Sequence, residues 1–463
     1  MKKLVLLSLL TGCLAFLSCN SDELSGNARI NDWIYVNMDY YYYWTDDMPR
    51  KTGLNQYPAD FYESILSEQD RFSFIYDDYE VLLGLLGGIS LESGFEFKLY
   101  SEEGSSTNVI MQLVYIKPNS PAATLGLQRG DIIYQINGTQ FTTENYRTLL
   151  DQMNTTYTAS YRRYNSELNQ FQNQAALNIT PVVYAENPIY LYSVIEAGGK
   201  KIGYLVYNFF APGTNGSYDD AVDDVFAGFK TADIDELIVD LRFNGGGSVA
   251  SALNLASLLA EGVTTNDVAL KLEYNDKLTQ DILNDPLYGA EYFIERFLAK
   301  SENVGSLMGS GKIHFIVTDR TASASEMVIN AILPYMDTYL VGETTVGKDV
   351  GSITLYDETL DWNRWALQPI ILKIVNSENA DYPSGFTPDI SLPDDFLVLK
   401  PLGDINEPLL NATLGAIGVL PARMDPSAAF NQKPLYESID SKKWNRKMLA
   451  DEVATFQPMM TEE

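Results

Sequence analysis

Histidine is almost absent from this chain: its 463 residues contain one. Cysteine is nearly as scarce, with two, Cys13 and Cys19, both close to the N-terminus. Basic residues number 32 against 62 acidic ones, which leaves a net charge of −30. Each scarcity removes a class of chemistry. A lone histidine rules out a histidine-rich metal centre, and a body without cysteine has neither a disulfide nor a thiol nucleophile. A surface this acidic repels phosphate backbones, so nucleic acid is not an expected partner. No run of about 18 apolar residues, the length that crosses a bilayer, occurs after the N-terminal stretch.

What is present is a large stock of core-forming residues, 46% hydrophobic and 12% aromatic. At roughly 100–200 residues per domain, the length suits two to four domains. The opening "MKKLVLLSLLTGCLAFLSCNSDE" has a basic start, a short apolar run and small residues, the layout of an export signal. It resembles a bacterial lipoprotein signal. "LTGC" ending at Cys13 fits the usual pattern letter for letter. Cys19 is nevertheless the assigned lipidation site, because cleavage at Cys13 would leave apolar "LAFLS" exposed, whereas acidic "NSDE" after Cys19 reads as a tether. The expected location is then the cell envelope of a Gram-negative-type bacterium, periplasmic or at the outer-membrane surface, with membrane contact through lipid alone.

The pattern of the chain changes several times. Residues 1–19 are the signal and 20–27 a tether. In 28–88, "ARINDWIYVNMDYYYYWTDDMP" sets Ile30, Trp33, Ile34, Asn37 and Tyr41 at helical spacing up to Pro49, which predicts a small helical domain. From 89 to 182 short alternating strands are punctuated by turns at Pro118, Gly126, Gly130 and "NG" at 137–138. From 183 to 395 strands alternate with helices, as in "KIGYLVYNFF", a helix near 217–230, "DELIVDLRF", a helix from 248, "KIHFIVTDR", a helix from 323 and "TYLVGE". The fold class expected is α/β, multidomain, with a layered core. Residues 396–463 carry helical pieces and prolines with no evident role. Acidic pairs such as Asp219–Asp220 lack calcium-loop spacing, so no metal is expected.

Two strand-to-helix junctions carry chemistry. In "DLRFNGGGSVA" a buried strand runs into three glycines and then a helix, so backbone N–H groups can approach a ligand. Gly245, Gly247 and Ala250 match a dinucleotide fingerprint weakly; the same N–H groups could instead stabilise an oxyanion. "TASASEMVIN" places Ser323 and Ser325 just after an apolar strand, where a nucleophilic serine would sit. Such a serine needs a base. His314 lies inside the strand "KIHFIV" and reads as structural. Lysine is the main base left, and it must be desolvated to lose its proton near neutral pH. Lys348 in "TYLVGETTVGKDVGS" follows an apolar strand and is the candidate.

"TASASE" and "VGETTVGK" together resemble the serine–lysine signature of the carboxy-terminal processing proteases, also called tail-specific proteases. "DLRFNGGG" and "GFTPDI" at 385–390 are similar to two further motifs of that family, and "DRFSFI" at 70–75 to a segment that precedes its PDZ domain. The family's lysine follows its serine by 25 positions, which selects Ser323 here. The resemblance implies Ser323 as nucleophile and Lys348 as general base. It implies an oxyanion hole from Ala324 and either Gly245 or Gly246, with Ser325 and Glu326 supporting the turn, on a crotonase/ClpP-like core that uses no cofactor. Many members carry a glutamine four positions after the lysine. Ser352 stands there in this chain, so Ser352 or another residue must orient Lys348. Asp349 beside it would raise the lysine's pKa unless its carboxylate points elsewhere.

The stretch "PNSPAATLGLQRGDIIYQINGTQF" resembles a PDZ domain, with Ser93, Gly94 and Phe95 in the place of the peptide-binding loop. Such a domain takes an extended peptide as an added strand. The expected function is therefore an exported serine endopeptidase acting on unstructured or C-terminal protein segments. The rival is a non-catalytic peptide-binding lipoprotein on a degenerate protease core. Partners are protein or peptide substrates, and homo-oligomerisation is left open.

Overall fold

A computed structural model describes residues 24, 26–420 and 434–438, so Cys13 and Cys19 lie outside the described residues. The α/β core is built on a six-stranded sheet in the order Ile189–Ala197, Lys200–Tyr207, Glu236–Asp240, Lys312–Val317, Asp337–Gly342 and Ile390–Ser391. The first pair is antiparallel and the rest are parallel. Alternation along "KKIGYLVY" explains the layering. Ile202, Tyr204 and Val206 meet the helix Pro408–Ile417 on one face. Leu205 and Tyr207 point into the main core with the helices Ser217–Ala232, Val249–Leu259 and Ala324–Ile332.

A second, antiparallel sheet of four strands contains Val268–Tyr274, Ile370–Asn376 and Val350–Ser352. The helix Ala324–Ile332 lies between the two sheets, and every one of its residues is buried. Burying each Val, Ile or Met along it contributes about 1.5–3 kcal/mol, so its N-terminal turn rests on a rigid support.

The N-terminal helix runs Asn27–Tyr41 and stops well before Pro49. Tyr42 leaves the helix because its buried hydroxyl donates to Asp70 Oδ2 at 2.8 Å and accepts from the Ser67 N–H at 3.0 Å. The fully buried face is Ala28, Asn31, Ile34 and Met38; Ile30, Trp33, Asn37 and Tyr41 are half-buried or exposed beside it. The helical region is also stitched to the core, since its strand Phe74–Tyr76 pairs with Ala366–Gln368.

Residues 89–185 form the β-rich unit. Its strands Phe95–Ser101, Val109–Ile116, Ile132–Ile136 and Tyr157–Asn165 pair antiparallel, with the helix Tyr146–Gln152 alongside. Leu99, Met111, Leu113, Ile133 and Ile179 fill its interior. The described pieces of the segment after 395 are bound to the other parts. Helix Pro408–Ile417 covers the six-stranded sheet, and Tyr436–Glu437 adds a strand to Phe95–Ser101.

Candidate active site

Ser323 sits at the turn between the strand Lys312–Val317 and the helix Ala324–Ile332. Its backbone has φ 63° and ψ −118°, a conformation that costs a non-glycine residue about 1–3 kcal/mol. The turn is held from several directions. The N–H of Ser323 donates to Glu326 Oε2 at 2.9 Å, and Ser325 Oγ donates to the Asn244 carbonyl at 3.0 Å. The Ala322 N–H donates to that same carbonyl at 3.2 Å. Ser325 therefore anchors the turn to the glycine loop.

That loop lies directly against the serine. Gly246, at φ 107°, has no room for a side chain, because a Cβ there would stand 2.7 Å from Ser323 Cβ and 3.1 Å from the Ala324 nitrogen. The Gly246 N–H donates to Asn244 Oδ1 at 2.9 Å, and the Gly246 carbonyl accepts from Phe210 at 2.9 Å. Gly245 is buried beside it.

Lys348 arrives on the loop after the strand Asp337–Gly342 and is brought to Ser323 through Glu326. One carboxylate oxygen, Oε1, accepts from Thr345 Oγ1 at 2.5 Å and from the Gly347 N–H at 2.6 Å. The other, Oε2, accepts from the Ser323 and Lys348 N–H groups, each at 2.9 Å. Burial pushes this carboxyl above its usual range, and the four donors pull it back toward ionisation. Ser323 and Lys348 are both 0% exposed. The "GFTPDI" segment completes the clamp, since the Phe386 N–H donates to Thr345 Oγ1 at 2.8 Å and Gly385 has no room for a Cβ against the Thr345 carbonyl.

Asp349 faces another lysine, Lys373. Its carboxylate lies 3.7 Å from Lys373 Nζ, and burial raises its pKa while Lys373 lowers it. Ser352 is buried and accepts from Gln368 Nε2 at 3.1 Å; Gln368 Oε1 in turn accepts from Thr354 Oγ1 at 2.7 Å. A glutamine thus stands beside Ser352, supplied from a different strand. The sequence reading missed Gln368, because nothing local marks it. It also missed Arg71 and Phe72: Arg71 donates to the Gly347 carbonyl at 2.7 Å, and the Phe72 ring lies 5.4 Å from Lys348 Nζ. "DRFSFI" was the available signal. His314, 3% exposed on its strand, is held below its usual pKa by burial.

In the β-rich unit the loop residues are committed to packing. Ser93 Oγ accepts from Tyr157 Oη at 2.9 Å, and the Gly94 carbonyl accepts from Lys117 N–H at 2.9 Å and Ser120 Oγ at 3.1 Å. Gly94, at φ 89°, abuts Ser120, and Phe95 points into the unit's core. Among the described residues no group of three or more His, Cys, Asp or Glu side chains could hold a metal, and no helix is long and apolar enough to cross a membrane.

Comparison with known proteins matches residues 201–392 to peptidase family S41, residues 29–74 to the peptidase S41 N-terminal domain and residues 113–156 to a PDZ domain. A carboxy-terminal-processing protease of Bartonella bacilliformis is 25% identical over 57% of this chain and 52% of its own. A CtpA-like serine protease of Staphylococcus aureus is 24% identical over 72% of this chain and 58% of its own. The chain thus spans little more than half the length of these curated relatives. A crystal structure of an S41 protease from Bacteroides fragilis superposes with a TM-score of 0.69 at 28% identity, covering 83% of this chain and 97% of that one.

Proposed function

The chain belongs to peptidase family S41 and carries a PDZ domain, and from that premise we propose that it is an exported serine endopeptidase with a Ser323–Lys348 dyad. Ser323 Oγ attacks the carbonyl carbon of a peptide bond while its proton passes to Lys348 Nζ. The N–H groups of Ala324 and Gly245 take the oxyanion, because Gly246 already donates to Asn244. The tetrahedral adduct then collapses, Lys348 returns the proton to the leaving amine, and a serine ester remains. Water attacks that ester with Lys348 again as base and releases the acid. Full burial of Lys348 supports its role, since desolvation favours the neutral amine.

The observation that carries this reading is the Glu326 carboxylate, which ties the two amides to a single oxygen. Ser352, supported by Gln368, orients Lys348. Substrates are unstructured protein segments, and the enzyme works in the cell envelope, tethered by lipid on Cys19. The test is a mass-spectrometric time course on an unfolded protein with parent and Ser323→Ala. Fragments from the parent alone support the dyad; an intact substrate in both rejects it.

The enclosure of both dyad residues favours a second reading, a peptide-binding lipoprotein with an inactive core. It predicts saturable peptide binding with no cleavage by the parent.

A further inference from the structure

The strand Phe95–Ser101 would be the open edge of the PDZ domain, the edge to which an extended peptide adds. It is occupied. Residues 434–438, "PLYES", run antiparallel along it, with Tyr436 opposite Leu99 and Glu437 opposite Lys98. The Leu435 N–H donates to the Leu99 carbonyl at 2.7 Å, and the Phe97 N–H donates to Ser438 Oγ at 2.8 Å. The Tyr436 ring lies 6.0 Å from Phe97 and 6.3 Å from Tyr146, between the edge strand and the helix Tyr146–Gln152.

We infer that residues 434–438 are the resident ligand of the PDZ edge, a cis-acting plug that substrate must displace. This inference rests on the peptidase reading for the word substrate only. The plug is also wired to the candidate active site. Glu437 makes a two-pronged ion pair with Arg320, one prong from Nε and the other from Nη2 at 2.8 Å. Arg320 is buried in the short loop that ends at Ser323. Removing the plug from the edge therefore withdraws the carboxylate from Arg320 and leaves a buried cation three residues from the nucleophile.

The groove also states what it accepts. Beyond Tyr436 and Ser438 a cavity of about 270 Å³ continues along Ser93, Phe95, Glu92, Glu96 and Asp151. Glu92 and Glu96, which line it, share the buried Lys117 behind them with Glu186, at 2.7, 3.2 and 2.6 Å. One ammonium against three carboxylates, with Asp151 nearby, leaves an excess of negative charge. A free terminal carboxylate would meet like charge there, whereas the Ser438 hydroxyl donates to Glu96 Oε2 at 2.5 Å. The edge therefore selects an internal segment of the pattern aromatic–acidic–hydroxyl and discriminates against a chain terminus.

The test is fluorescence anisotropy with a labelled PLYES peptide, acetylated and amidated, on the full chain carrying Ser323→Ala. Leu435→Pro removes the donor to Leu99, and Tyr436→Ala removes the ring from the groove; Leu435 is 45% exposed and Tyr436 half-buried, so neither change should unfold the chain. A tethered segment competes at roughly millimolar effective concentration, so both variants should bind the probe about tenfold or more tighter than the parent. The free-acid peptide should bind several-fold more weakly than the amide. Equal affinity in parent and variants, or no binding to any of them, would overturn the plug. Tighter binding of the free acid would overturn the internal-segment selection. Improved binding in the variants, with no cleavage once Ser323 is restored, would support the plug while overturning the peptidase reading.

Discussion

Ser323 and Lys348 share an acceptor: their backbone N–H groups both donate to Oε2 of Glu326, at 2.9 Å each. The other oxygen of that carboxylate serves Thr345 and Gly347. Four donors converge on a side chain that has acceptors only when ionised.

Glu326→Gln is therefore not a conservative change. Whichever way the amide is turned, its NH₂ faces at least one backbone N–H, that of Gly347 or those of Ser323 and Lys348, which is left unsatisfied in the interior at about 1–3 kcal/mol each. Peptidase activity should fall by at least ~100-fold and the melting temperature should drop together with it. Ser323→Ala should abolish cleavage with little change in melting temperature. Calorimetry beside a cleavage assay separates the two; a Glu326→Gln protein that melts and cleaves like the parent would reject the role given to this carboxylate.

Gln368 reaches Ser352 at 3.1 Å from another strand, which makes it a positioning residue for the proposed base. Gln368→Ala should lower kcat by roughly tenfold with KM nearly unchanged, the pattern of an interaction used after substrate has bound. A change confined to KM would argue for a purely structural part.

Arg242 is fully buried against Asp240, Glu407 and Asp394, with Nη2–Oδ2 at 2.8 Å, Nη1–Oε1 at 2.7 Å and Nη1–Oδ1 at 3.4 Å. Glu407 also caps the helix Pro408–Ile417 by accepting from the Leu410 N–H at 2.9 Å. Arg242→Met takes the cation from buried Asp240 and leaves Asp394 and Glu407 with Arg129 alone, and should cost about 3–5 kcal/mol in urea unfolding. Loss below ~1 kcal/mol would mean that Arg129 and the Tyr204 hydroxyl hold these carboxylates without Arg242.

Glu343 should make stability depend on pH. Burial first, then Asp319 and Asp395, push its carboxyl from an ordinary 4.5 up to about 7. The folded chain thus holds this proton more tightly than the unfolded one. Its contribution is fully present below about 4.5 and is lost as pH rises through about 7. Thermal melts between those pH values should show a loss of stability with rising pH that Glu343→Gln flattens. Parallel profiles for the two proteins would place the effect elsewhere.

The alternation in "KIGYLVY" and the apolar run "KIHFIV" specify buried strands locally, because side-chain direction repeats every two residues. The structure has strands at Lys200–Tyr207 and Lys312–Val317. The helix expected from 323 begins at Ala324 for the same local reason, a small-residue turn followed by helix formers. The first helix was less legible, since the pull of Asp70 and Ser67 on Tyr42 is invisible in its own periodicity.

The sequence by itself determined the strand–turn–helix junctions that carry Ser323 and the glycine loop, and the candidate lysine 25 positions on. The junctions follow from nearest-neighbour sterics and from hydrophobic spacing, whereas the choice of Ser323 over Ser325 and its pairing with Lys348 come from the resemblance to the carboxy-terminal processing proteases. Tertiary structure alone decided that Asp349 faces Lys373, that Gln368 stands at Ser352, that Phe72 and Arg71 flank Lys348, and that residues 434–438 occupy the PDZ edge. Each of these joins partners far apart in the chain, and such pairings are chosen by how whole sheets and helices pack, which no local pattern encodes.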